Sequence, residues 1–485
     1  MKPASLQTIC TAVGGRLLTP GATVATPLSV VCTDTRLLQP GCVFVAIKGD
    51  RYDGHKFLSQ AAQGGAVTAI IQDVPAETYP TLNLVLVENT RVALGKLASW
   101  ARNQMTGKII GVAGSNGKTS TKYLIDSVLS TRLSGTMSPK SFNNDIGVPL
   151  TILPADPVQD YLVLEIGTNH PGEIARLAQM ATPDIGVITN CGAEHLEFLG
   201  DLRGVRQENS SLLTGMRPRG MIAVNGDDHD LVAAVSQYGG KVITFGFEEK
   251  NDFFATDVRC DDTGTRFFLN KGRKEIFVPM LGKHAACNAL AAIAVARRLG
   301  LTDDAIIEGL ATARKPDMRL QLVNVEGVSV LNDAYNANPN SMRAALDTVT
   351  ALPARGRRIA VLGDMRELGQ SSERYHRELG DFAAKCKLDL LGCVGEQSAL
   401  LAESAERAGM PVGAIAKFPD ARTAANAVPG WLKEGDLVLL KASRGIGLEL
   451  VAQAISESRH AAVAAQAAAA TAAETKTRAR RKIAS

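Results

Sequence analysis

The sequence predicts an α/β protein of about three domains, with parallel, doubly wound sheets in the second and third. Two observations carry this reading. The chain of 485 residues is longer than one hydrophobic core organises. Short apolar runs also alternate with helical patterns in two long series. A composition of 45% hydrophobic and 21% charged residues is that of an ordinary globular protein.

In the first hundred residues, β-type runs at 42–49, 66–73 and 82–89 surround a helical candidate at 54–66, which makes a small α/β unit. A helical pattern over 91–105 leads into an apolar strand at 108–114 that stops at glycine. Strands follow at 161–167, 184–190, 220–226 and 241–247, and an alanine-rich helix at 285–300 closes the series. The second series has strands at 327–333, 357–364, 388–395 and 436–443. The expected domains are therefore 1–105, 106–314 and 315–457, with 458–485 as an Ala-rich basic tail. That tail has no large apolar residue after Val463 except Ile483, so it cannot bury a core and is expected to be disordered.

The net charge of +4 belongs to the tail. From Ala461 onward Lys476, Arg478, Arg480, Arg481 and Lys482 oppose Glu474 alone, which equals the excess of the whole chain. A body without net charge argues against nucleic acid or an anionic membrane as partner. The opening MKPASLQTICTAVGGRL lacks a signal-type apolar region, and no apolar run approaches about 18 residues. Eight scattered cysteines without a C-x-x-C pair read as reduced thiols. A cytoplasmic monomer is expected.

The strongest local signal is the run Gly111 to Thr121, placed after an apolar strand and before a helical pattern. Glycines at 114 and 117 let successive backbone N–H groups turn toward phosphate oxygens at a helix N-terminus. Lys118 is placed for the β- and γ-phosphates, and the Thr119 hydroxyl for Mg²⁺. Val112 occupies the first glycine position of the strict pattern, so the spacing is G-x-x-G-x-x-G-K-T. Nucleotide binding follows from this; the loop alone leaves kinase, GTPase and ligase open.

Several further segments, in order along the chain, make the sequence resemble the Mur ligases. Gly114-Ser115-Asn116-Gly117-Lys118-Thr119 is similar to the family's phosphate loop, with Ser120 following it. The stretch Ser141 to Leu150, with Asn143 and Asn144, resembles a segment that contacts a UDP-sugar peptide. Glu165-Ile166-Gly167-Thr168-Asn169 resembles a metal-binding strand end, and His195 matches a histidine that ligates a second Mg²⁺. Gly282-Lys283-His284 with Asn288 resembles the closing helix, where Asn288 would meet adenine; Asp317-Met318-Arg319 resembles the hinge into the last domain. Asp34-Thr35-Arg36 and Asp53-Gly54-His55 resemble a UDP-binding domain.

The resemblance implies an N-terminal UDP-binding domain, a central P-loop ATPase domain and a C-terminal Rossmann-like domain. Asp333-Ala334-Tyr335-Asn336-Ala337-Asn338-Pro339 with Ser341-Met342, and Gly363 to Gly369, resemble the branch that adds a dipeptide. It implies ATP-dependent joining of D-alanyl-D-alanine to a UDP-linked muramoyl tripeptide through an acyl phosphate, in peptidoglycan precursor synthesis. Lys118, Glu165, His195 and Arg319 would be catalytic; Thr119, Glu165 and His195 would hold Mg²⁺. Arg319 and Asp333 would meet phosphate and ribose. Asn336 and Asn338 would shape the substrate cleft, and Ser443-Arg444 would bind the dipeptide carboxylate or a phosphate. Asp364 and Glu367 read as turn residues. The alternatives are another Mur-type or folylpolyglutamate-type ligase, or a nucleotide-binding relative without catalysis.

One position departs from the pattern. The family has a lysine fourteen residues beyond the metal histidine, where CO₂ makes a metal-ligating carbamate; here that position is Asn209. An amide forms no carbamate. Glu208 is adjacent, but on a helix it points about 100° away.

Overall fold

The computed structural model describes residues 1–18, 27–49 and 52–461; residues 462–485 of the expected tail lie outside the described residues. The chain forms two compact units. The first contains Met1–Cys191, Arg206–Phe254 and Asn288–Ala313. The second contains Gly192–Val205, Ala255–Cys287 and the chain from Arg314 onward.

The first unit begins with five strands: β1 (Arg16–Leu17), β2 (Val31–Cys32), β3 (Val43–Val45), β4 (Thr68–Ile71) and β5 (Asn83–Leu86). They lie in the order β1-β5-β4-β3-β2, and β1 alone is antiparallel to its neighbour. Every residue of β3 and β4 is buried, so each reads as an unbroken apolar run rather than an alternation. The 54–66 segment opens as a 3₁₀ turn, Gly54–Phe57, and becomes α-helical only over Leu58–Gln63. The helix Thr90–Arg102 is capped by the Asn89 side chain, which accepts from the Arg91 and Val92 N–H groups. Its last residue, Arg102, is fully buried. The guanidinium donates to Ala181 O at 2.8 Å and reaches Thr182 O and Asp184, each at 3.0 Å. These bonds fasten the first hundred residues to the following sheet.

That sheet has six parallel strands in the order β11-β10-β9-β6-β8-β7. They are β6 (Lys108–Ala113), β7 (Gly135–Met137), β8 (Tyr161–Glu165), β9 (Ile185–Ile188), β10 (Met221–Asn225) and β11 (Lys241–Gly246). β12 (Phe253–Cys260) pairs with β11 through its first two residues. Beyond them it pairs antiparallel with β13 (Thr265–Leu269), which pairs with β14 (Glu275–Val278). The sequence reading has no strands at β7 or β12 to β14. The alanine-rich helix runs over Lys283–Arg298.

The second unit is built on a six-stranded sheet, β15-β16-β20-β17-β18-β19. Its strands are β15 (Gln321–Val325), β16 (Val328–Asn332), β17 (Arg358–Gly363), β18 (Leu390–Val394), β19 (Ile415–Phe418) and β20 (Leu437–Lys441). All neighbours are parallel except β15 and β16. Asn338 and Ser341 form a reciprocal capping box on the helix Pro339–Ala351, with Pro339 at its first position. A closing helix extends to residue 461. Among the described residues no helix is long and apolar enough to cross a membrane. All eight cysteines are thiols, and six of them are buried.

Candidate active site

The glycine-rich loop follows β6, at the carboxyl ends of the parallel strands, where such sheets bind ligands. Gly114 and Gly117 have φ of 122° and 82°. A Cβ on Gly114 would stand 2.2 Å from Thr189 Oγ1, and one on Gly117 2.5 Å from Asn288 Oδ1, so the loop requires both glycines. The end of β9 holds the loop in shape. Ser115 N–H donates to Asn190 O at 2.8 Å, and Asn116 N–H to Asn190 Oδ1 at 3.1 Å. Thr189 Oγ1 and Asn190 Nδ2 donate to Asn116 O at 2.5 and 2.8 Å. The sequence reading did not single out Thr189 and Asn190, because their partner lies more than seventy positions earlier. Lys118 opens the helix Lys118–Leu129; its Nζ donates to the Gly114 carbonyl and, at 3.2 Å, to that of Ser115. Ser120 lies half-buried in the same first turn.

Glu165, the last residue of β8, is buried and draws three side chains together. Its Oε2 accepts from Thr119 Oγ1 at 3.0 Å and lies 3.1 Å from Lys122 Nζ. Its Oε1 accepts from Asn143 Nδ2 at 3.1 Å. Thr119 and Glu165 thus present adjacent hard oxygen donors beside the phosphate loop, a pair suited to Mg²⁺. Lys122 was missed because nothing in sequence distinguishes it from a solvated helix lysine. Asn144 is turned to local use, its Oδ1 accepting from the Ile146 and Gly147 N–H groups.

Past Glu165, two glutamates shape the next loop. Glu173 accepts from Asn169 N–H at 2.7 Å and His170 N–H at 3.2 Å. Buried Glu208 accepts from Gly172 N–H at 2.6 Å, Ile174 N–H at 2.8 Å and Thr168 Oγ1 at 3.1 Å. Its carboxylate is therefore committed to the N-terminus of the helix Glu173–Ala181, where orphan N–H groups favour an anion. Asn209 is buried beside it.

In the second unit, His195 has φ of 50° and its Nδ1 meets the Glu367 carboxylate; Glu367 also has a left-handed φ, of 61°. A carboxylate on Nδ1 fixes the tautomer, so that Nε2 is the nitrogen that could hold a metal. Glu367 is therefore the histidine's orienting partner. Asp364 accepts from Ser398 N–H at 2.7 Å, a structural role. Asp333 Oδ2 pairs with Lys441 Nζ at 2.6 Å, and its Oδ1 accepts from Leu320 N–H at 3.1 Å. The Arg319 guanidinium lies 4.1 Å from the Tyr335 ring centroid and that of Arg444 at 5.6 Å, two cations about one aromatic ring. Arg444 also pairs with Glu449 at 3.3 Å. Ser443 Oγ is buried, accepting from Arg366 N–H at 2.9 Å and donating to Ala337 O at 3.3 Å. Asn336 is exposed, whereas Asn338 is the helix cap described above.

In the 3₁₀ turn between β2 and β3, Arg36 Nη2 lies 2.6 Å from Asp34 Oδ2. Hydrogen bonds from Arg36 hold the Asp34 carboxyl down to about 2. Thr35 Oγ1 donates to Gln60 at 3.2 Å. Asp53, His55 and Asp73 cluster closely enough to suggest a metal. Both His55 nitrogens are engaged, however: Nδ1 with Asp53 at 2.6 Å, and Nε2 accepting from Gln72 N–H at 3.0 Å. No nitrogen remains for an ion.

Three family models match the chain in order. They are the Mur ligase family catalytic domain over 27–102, the Mur ligase middle domain over 112–296 and the Mur ligase glutamate ligase domain over 318–444. The UDP-N-acetylmuramoyl-tripeptide--D-alanyl-D-alanine ligase of Bacillus subtilis is 36% identical over 430 residues, covering 88% of this chain and 93% of the relative. A crystal structure of MurF from Acinetobacter baumannii superposes with a TM-score of 0.85 at 29% identity, over 94% of this chain and 99% of the other. MurF ligase from Thermotoga maritima in complex with ADP gives 0.79 at 28% identity, over 89% and 98%. With a phosphate loop after β6 and all three domain models matched in order, the chain belongs to the Mur ligase family, whose members are ATP-dependent ligases that form carbon–nitrogen bonds.

Proposed function

We propose that this ligase joins D-alanyl-D-alanine to UDP-N-acetylmuramoyl-tripeptide, using ATP and Mg²⁺, in peptidoglycan precursor synthesis. The observation that carries the reading is the convergence on Glu165 of Thr119 from the phosphate-loop helix and Asn143 from the substrate-type segment, at 3.0 and 3.1 Å. Phosphate-side and acceptor-side elements share one carboxylate. The full-length likeness to the Bacillus enzyme supports the choice of substrates.

A carboxylate is a poor acyl donor because its oxygen leaves badly. Here a carboxylate oxygen of the tripeptide attacks the γ-phosphorus of ATP, and the bond to the β-phosphate oxygen breaks to release ADP. The dipeptide amine then attacks the acyl carbon, phosphate leaves, and the amine loses its extra proton. The protein's part is positioning and charge neutralisation. Lys118 moves from the loop carbonyls to the γ-phosphate, while loop N–H groups from Gly114 to Ser120 cradle the other phosphates. Thr119 and Glu165 would hold Mg²⁺, which would supply neutralisation of phosphate charge. His195, oriented by Glu367, would offer Nε2 to a second Mg²⁺. Asn288 faces adenine, and Arg319 binds phosphate.

Asp333 keeps Lys441 and the 318–320 backbone in place beside the ribose. Asn143, Thr168 and Asn169 meet the muramoyl peptide, with Asn144 shaping their segment through Ile146 and Gly147, and Asp34, Thr35 and Arg36 meet the UDP group. Asn336, Asn338, Ser443 and Arg444 serve the dipeptide side. The enzyme would act on these small molecules as a cytoplasmic monomer, and a folded body without net charge argues against a nucleic-acid partner. In the test, purified chain is given ATP, Mg²⁺, UDP-muramoyl tripeptide and D-alanyl-D-alanine. ADP release that requires both peptides, with a product of the summed mass less water, is expected. ATP binding without turnover would refute the reading.

A further inference from the structure

We propose that Lys122 is a standing counter-ion for Glu165, one that positions this carboxylate before any metal arrives and makes metal binding depend on the nucleotide. The proposal rests on Glu165 being a metal ligand.

Lys122 is enclosed as completely as any residue in the chain, with a side-chain exposure of 0% against 1% for Glu165. A buried carboxylate is costly unless a charge and hydrogen bonds meet it. Lys122 Nζ supplies both at 3.1 Å. The same ammonium donates to the carbonyl of Lys140, whose φ of 46° is left-handed for a residue with a side chain. Lys140 immediately precedes the segment that delivers Asn143 to the other Glu165 oxygen. One lysine on the phosphate-loop helix therefore fixes the carboxylate and the entry into the acceptor-side segment together.

The charge has a consequence for the metal. Lys122 and Glu165 sum to zero, so a divalent cation entering alone meets no net negative charge at this pair. It also approaches an ammonium a few ångströms away, within a poorly screened interior. Nucleotide phosphates bring the missing negative charge. Metal and nucleotide should then bind as one, which avoids an enzyme loaded with metal alone. Lys118 differs, because its reach is toward the loop carbonyls and the phosphates.

The experiment uses Mn²⁺ as the probe and measures protein-bound metal by water-proton relaxation on the full chain, with and without ADP. The natural chain is expected to bind Mn²⁺ about tenfold or more tightly with ADP than without it. Lys122→Met should bind Mn²⁺ alone about tenfold more tightly than the natural chain and lose most of the nucleotide dependence. Lys122→Arg, which keeps the charge, should behave like the natural chain. Unchanged metal-alone affinity in Lys122→Met would overturn the proposal. So would equally tight Mn²⁺ binding by the natural chain with and without ADP, a result that decides the matter even if the methionine variant does not fold. Glu165→Gln separates the two layers. If that change leaves ADP-dependent Mn²⁺ binding intact, Glu165 is no metal ligand and the proposal falls with that reading. If it weakens binding while Lys122→Met changes nothing, the counter-ion role alone falls.

Discussion

Lys441 Nζ stands 2.6 Å from Asp333 Oδ2, with side-chain exposures of 2% and 10%. The pair fastens three segments, because Lys441 also donates to Asn336 O at 2.9 Å and Asp333 accepts from Leu320 N–H. Removing one partner leaves the other charge buried. Lys441→Met should cost about 3–5 kcal/mol in urea unfolding, and Asp333→Asn on top of it should recover much of that loss. Losses that simply add would show that the two residues act separately.

Lys118→Ala should lower kcat by about 10³-fold or more, since the ammonium is the charge placed to meet the transferring phosphoryl. Loss of its hydrogen bonds to the Gly114 and Ser115 carbonyls should lower the thermal midpoint only modestly, so the loss of turnover is not a loss of fold. Normal turnover by this variant would remove the phosphate-loop assignment.

His376 carries a pH prediction. Its Nε2 accepts from Met365 N–H at 3.0 Å and its Nδ1 donates to Ser372 O at 2.8 Å, which anchors the loop that bears Glu367. Burial pushes the ring below its ordinary value, against the opposing pull of the Ser372 carbonyl and Asp364. The folded state then binds fewer protons than the unfolded one below about pH 6.5. The stability contributed by neutral His376 is complete above that pH and is lost as pH falls through the folded value. Between pH 7 and 5 the natural chain should lose stability more steeply than His376→Gln, by up to about 1.4 kcal/mol per pH unit. Parallel curves would contradict this.

Asn209 cannot take up CO₂, and Glu208 is committed to the backbone of Gly172 and Ile174. Turnover should therefore be the same in bicarbonate-depleted and bicarbonate-supplemented buffer. A several-fold gain on adding bicarbonate would point to a carbamate formed elsewhere.

The parallel core was legible in the sequence because its strands are buried on both faces. β6, β8 and β9 read as apolar runs, and the glycines after β6 mark the turn into a helix. β12 escaped notice because its residues alternate between half-buried and exposed over much of its length, and β7 is three residues long without a buried one. Within the site, Lys118 and Thr119 stood out through local spacing and Glu165 through the resemblance of its strand end. Lys122, Thr189 and Glu367 did not, because each acquires its role from a partner far away in sequence: Glu165, Asn116 and His195. Glu208, which the helix period turns about 100° from the Asn209 direction, is bound to the N-terminus of the helix Glu173–Ala181, a use that its local sequence does not show.

The central claim is that a peptide carboxylate takes the γ-phosphoryl before the amide forms. It is tested most directly with tripeptide whose reacting carboxylate carries ¹⁸O, by mass analysis of the inorganic phosphate released during ligation. The account predicts one ¹⁸O in phosphate for each amide bond made from fully labelled carboxylate. Product formed with unlabelled phosphate, or with AMP and pyrophosphate in place of ADP, would contradict it.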